Sequence, residues 1–102
     1  MQCDVYQNAG DESGEIPYLL DVQADLLSDL QTRVVVPLIQ KETFGRRATR
    51  LHPQLTIEGR DVVMATHLVA AIRRQGLGTV VASVADHRDV IISAIDVLWS
   101  GV

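Results

Sequence analysis

The sequence is short of the residues that staple small folds or build reactive centres. Its single cysteine, Cys3, excludes an internal disulfide and fits a reducing compartment. That cysteine and the three histidines, His52, His67 and His87, are not spaced as zinc ligands, so no metal site is expected. No apolar run approaches the ~20 residues that span a bilayer, and the N-terminus lacks the basic-then-apolar order of a signal peptide. The expectation is a cytoplasmic chain with no membrane partner. Basic residues are outnumbered, 9 against 13, for a formal net charge of −4. Phosphate backbones are held by positive charge, so direct nucleic-acid binding is disfavoured. Gly76 and Gly78 lack the following glycine, lysine and helix start of a phosphate-cradling loop. No nucleophile elbow, internal repeat or low-complexity tract is present, and no cofactor is implied.

What is there is 102 residues, 47% of them hydrophobic, read as one domain over 1–102. A chain this short buries only roughly 60–70% of its unfolded surface, so subunit pairing would stabilise it. Gln2 to Tyr6 alternates polar and apolar residues, as a strand does with Cys3 and Val5 facing inward. Asn8 to Glu15 reads as a loop. Ile16 to Val22 is a second strand, with Pro17 at its start or on an edge. Thr32 to Leu38, rich in β-branched residues, is a third, ending near Pro37. Leu55–Ile57 and Val62–Met64 flank Glu58-Gly59-Arg60-Asp61 as a hairpin. Lys41 to Arg50 has no clean period. The alanines and leucine of Ala65 to Arg74 favour a helix that Gly76 would end, although a strand is not excluded there. Thr79 to Ala82 is a further short strand.

The last segment reads as a helix with Asp86 as N-cap and Asp89 in its first turn. Ile91, Ile95, Leu98 and Val102 follow helical spacing, yet Val90, Ile92, Val97 and Trp99 are apolar too. The polar stripe is only Asp89, Ser93, Asp96 and Ser100. That apolar arc is wide enough for a core on one side and a partner on the other. A helix laid deep in its own barrel is the other reading.

Chemistry-bearing residues are few. Asp4, Asp21 and Asp25 would supply paired carboxylates if the fold joined them, which spacing alone does not establish. His52, before Pro53, reads as a loop histidine, and His67 and His87 lie near element ends. Arg46, Arg47 and Arg50 form one basic patch and Arg73-Arg74 a second, both consistent with solvated faces. Cys3 reads as a small buried hydrophobe. The residues point to binding rather than catalysis.

The order of short motifs adds to this. Gln2 and Val5-Tyr6 open the chain, then Asp21-Val22-Gln23 with Asp25, then Arg33-Val34-Val35-Val36-Pro37-Leu38. His52-Pro53 leading into Ile57, Met64 with Thr66, His87-Arg88, Ala94-Ile95 and Gly101-Val102 follow. This series resembles the CcdB family of toxins, continuously except around 8–15, 39–51 and 70–82. The resemblance implies a mainly β fold: an SH3-like barrel of antiparallel strands, a small accessory sheet and one C-terminal helix. It implies a non-enzymatic homodimer that binds the DNA gyrase A subunit, traps cleaved DNA and is neutralised by a CcdA-like antitoxin.

By the same resemblance, Trp99, Ser100, Gly101 and Val102 match the gyrase-binding terminus. Gly101 and Val102 agree with the family's usual ending, whereas Ser100 stands where its tryptophan stands and Trp99 one position earlier. One helical step turns a side chain by about 100°, which would aim Trp99 inward or at a dimer mate. Leu26 and Leu27 match an apolar pair near the same surface, and Asp96 replaces a more usual asparagine. Two alternatives stand beside this reading. One is a MazF-type ribonuclease on the same barrel, and the other is a family member that keeps dimer and antitoxin binding without gyrase poisoning.

Overall fold

The alternating apolar residues build one antiparallel sheet closed by one helix. The structure is a computed structural model and describes residues 1–10 and 14–101. Strands β1 (Asp4–Gln7), β2 (Tyr18–Asp21) and β3 (Thr32–Gln40) precede a single helical turn, α1 (Lys41–Phe44). Then come β4 (Gln54–Ile57), β5 (Arg60–Met64), β6 (Ala70–Arg73), β7 (Val80–Ser83) and the helix α2 (Arg88–Ser100). The sheet order is β4-β5-β3-β2-β1-β7, with β6 branching from β3. The mainly β barrel with a C-terminal helix is therefore present, and the accessory strands are continuous with the main sheet.

Register decides which residues are buried. Leu20 pairs with both Val5 and Val36, Tyr18 with Leu38, and Leu38 with Met64. These side chains share one face, and with Leu55, Ile57 and Val62 they make the core. Ile91 and Ala94 of α2 close it. The hairpin turns at Glu58 and Gly59, with φ of 52° and 78°, the pattern of a type I′ turn. Tyr18 lies in the core, and its hydroxyl donates to Glu58 at 2.7 Å.

Several expectations change. β3 runs through Pro37 to Gln40 rather than ending near it. On one side β3 pairs β2 from Val35 to Leu38; on the other it pairs β6 up to Val35 and β5 from Leu38. Pro37 sits in that change of partner, where its carbonyl accepts from Ala65 N–H and its missing donor breaks no ladder bond. No helix forms over 65–74. A 3-10 turn at Thr66–Leu68 leads into β6, and Gly76 closes a second 3-10 turn. Pairing of Ala70 to Arg73 with β3 overrides the alanines' helix preference. Asp86 is not an N-cap. It lies inside a 3-10 turn, Ala85–His87, that feeds straight into α2, and the capping position is His87 without a side-chain bond.

Candidate functional site

Four residues on one side of α2 face the barrel. Ile91 and Ala94 are buried, with Ile95 and Leu98 partly so on the same line. Opposite them run Asp89, Ser93, Asp96 and Ser100, all exposed. Between these stripes lie two apolar flanks: Val90 with Val97, and Ile92 with Trp99. Val90 is 47% exposed and Trp99 68%. The arc is thus wider than its own barrel covers.

The last turn of α2 gathers most of the residues singled out in the sequence. Ser100 Oγ donates to the Asp96 carbonyl at 2.7 Å, so its hydroxyl is taken up within the helix. Gly101 adopts the left-handed conformation, φ 77° and ψ 9°, and its N–H donates to the Val97 carbonyl. A side chain there would meet nothing but would strain the backbone, the usual reason for glycine at this cap. Trp99 does not turn inward in the protomer. Val102 lies outside the described residues.

Leu26 and Leu27 stand in a 3-10 turn, Asp25–Leu27, and are 93% and 47% exposed. Hydrogen bonds tie this turn to the opposite end of α2. Gln2 N–H donates to Asp25 Oδ1, and Arg88 Nε donates to Gln2 Oε1. About 16 Å of helix separates Arg88 from Trp99. Within one protomer, Asp96, Trp99, Ser100 and Gly101 form one cluster and the leucines another.

Two polar centres had no signal in the sequence beyond their residue types. Asp21 is wholly buried and takes the Arg33 guanidinium from two sides, Nε at 3.0 Å and Nη2 at 2.7 and 2.9 Å. The Met1 ammonium lies 3.2 Å from Asp21 and 3.4 Å from Asp4. Asp4 and Asp21 do meet, then, but around cations, which suits ion pairing rather than proton transfer.

The second centre is a pair of imidazoles. His52 is in a loop as expected, but it is buried. Its Nδ1 accepts from Ala48 N–H at 3.0 Å, which leaves Nε2 to carry the proton and donate to His67 Nδ1 at 2.9 Å. Phe44 stands edge-on to both rings, and Arg47 donates to the His52 carbonyl. Burial, then the neighbouring His67 and Arg47, push the His52 pKa below its usual 6.5. The pair ties the loop after α1 to the turn at Thr66–Leu68. Burial likewise pushes the Cys3 thiol up, so it packs rather than reacts.

Among the described residues no group of three or more His, Cys, Asp or Glu side chains is placed to hold a metal ion. No helix among them is long and apolar enough to cross a membrane. Compared with known protein families, the chain matches the model described as CcdB protein over residues 2–101. No curated protein matches the sequence.

Proposed function

The chain belongs to the CcdB family of toxins from toxin–antitoxin modules, and from that premise we propose that it binds the DNA gyrase A subunit and traps the enzyme's cleaved DNA. It acts by binding, not by catalysis, as a homodimer countered by a CcdA-like antitoxin. The observation that carries this reading is the 68% exposure of Trp99, the only tryptophan, on the flank of a capped helix end. An exposed tryptophan beside a polar rim has the makeup of an interface anchor. Asp96 and Ser100 form that rim in this proposal, Gly101 and Val102 are contacts carried over from the family's terminus, and Leu26 and Leu27 are a second contact. A twofold toxin presents two equivalent helix ends to the twofold gyrase subunit pair.

The test is a gyrase cleavage assay with purified protein, DNA and ATP. The full chain should accumulate cleaved DNA. Trp99→Ala, and deletion of residues 100–102, should abolish the effect while circular dichroism is unchanged. Ser100→Trp should strengthen it by restoring the family's usual aromatic. Cleaved DNA at wild-type level with Trp99→Ala would overturn the assignment, and RNA cleavage by the same preparation would favour the ribonuclease.

A further inference from the structure

On the sheet face opposite the core, a cavity of about 470 Å³ opens between two loops. Tyr6 and Arg33 line it from the strands, and Asp25 and Ser28 from the loop that follows β2. Arg74, Leu77 and Gly78 come from the β6–β7 connection. Its size is that of a small-ligand site.

The Arg33 side chain is only 2% exposed, and Asp21 holds its Nε and Nη2. Among the described residues, Nη1 has no hydrogen-bond partner, and no inaccessible side-chain nitrogen or oxygen lacks one. Nη1 therefore keeps a small accessible area, and the cavity that Arg33 lines is where it can be met. The guanidinium is a donor fixed in place before any ligand arrives, so binding it costs little ordering entropy. Arg74 adds an exposed cation at the rim, and Ser28 and Tyr6 add hydroxyls. Burial and the nearby Asp21 and Asp4 carboxylates push the Tyr6 phenol up, which keeps its proton on.

Charge narrows the ligand class. Arg33 and the Met1 ammonium share Asp21, Asp4 also meets the ammonium, and Asp25 leaves a carboxylate in the wall, so with Arg74 three cations stand against three carboxylates. Asp25 repels any anion in proportion to its charge, so a single negative charge between the two guanidinium groups is opposed about half as strongly as a phosphate dianion. We propose that this cavity is a binding site for a carboxylate, held between Arg33 Nη1 and Arg74 with the Ser28 hydroxyl as a further donor. The carboxylate comes from an acidic side chain of a peptide or from a small free acid. The site is separate from the Trp99 end of α2, although Asp25 and Ser28 flank Leu26 and Leu27, and it stands whether or not the protein poisons gyrase.

The experiment is an amide chemical-shift titration of the full chain at low salt. Three probes are used: N-acetyl-glutamate amide, acetate and inorganic phosphate. Saturable shifts at Ser28, Leu77 and Gly78 with either carboxylate are expected, and none with phosphate. Tighter binding of the blocked glutamate marks a peptide source, and equal or tighter binding of acetate a free acid. Arg74→Ala, at an exposed position, should weaken binding about tenfold with the spectrum otherwise folded. Asp25→Asn keeps the Oδ1 acceptor for Gln2 N–H and removes the charge, and it should admit phosphate. Absence of saturable shifts with both carboxylates, or affinity unmoved by Arg74→Ala, would overturn the proposal. A gyrase assay on Arg74→Ala separates the two readings, because poisoning there should equal wild type.

Discussion

Removing one partner of the Asp21–Arg33 pair leaves the other as an uncompensated charge in a closed site. Arg33→Met or Asp21→Asn should therefore cost about 3–5 kcal/mol in chemical denaturation. A loss below about 1 kcal/mol, the scale of an exposed pair, would contradict the burial. His52 gives the pH dependence at this scale. Its pKa is held below 6.5, so on acidification the unfolded chain takes up a proton before the native state does. The histidine's contribution to stability is complete above pH 6.5 and is lost as pH falls through the folded value. The urea midpoint should drop between pH 7.5 and 5.5, with a flatter profile in His52→Asn, which keeps an acceptor for Ala48 N–H but cannot titrate. Neither centre was legible beforehand, because Asp21 and Arg33, like His52 and His67, share no spacing and meet only through strand register and loop closure.

At the scale of elements, legibility followed the strength of local patterning. Thr32 to Leu38 and the hairpin around Glu58-Gly59 were readable, since β-branched alternation and a glycine turn are local signals. The segment of β6 reads ambiguously between helix and strand because Ala70-Ala71-Ile72 becomes a strand only when β3 offers an edge. Pro37 misled for a related reason: whether a proline ends a strand depends on which neighbour faces its nitrogen. β7 depends on a close approach. A Cβ added at Gly78 would lie 2.4 Å from the Gln7 carbonyl oxygen, a backbone atom that cannot swing away. Gly78→Ala should push β7 off β1 and cost about 1–3 kcal/mol. Faster hydrogen exchange at the Gln7 amide, which donates to the Thr79 carbonyl, would report it. Unchanged exchange and stability would show that the connection flexes.

For the whole molecule, the wide apolar arc of α2 was readable, and its division into a buried line and two exposed flanks is what the structure adds. The residues at the helix end carry a motif signal alone, because solvent exposure depends on how α2 seats on the barrel. Val90 and Leu30, exposed and outside the proposed gyrase contacts, leave apolar surface that pairing of two copies would cover. Sedimentation should give a dimer mass at micromolar concentration, and a well-folded monomer would sink that claim. Ile91, 1% exposed, belongs to the core itself, so Ile91→Asp should unfold the chain rather than dissociate it.

The pairing of β1 with β7 sets the order of events during synthesis. β1 is made well before β7, and one of its edges stays open until Val80–Ser83 emerge. Only then can α2, which follows directly, settle on the core. Such distant pairing makes folding slow, on the order of milliseconds to seconds. A nascent chain therefore has no finished helix end to present until β7 has paired with β1.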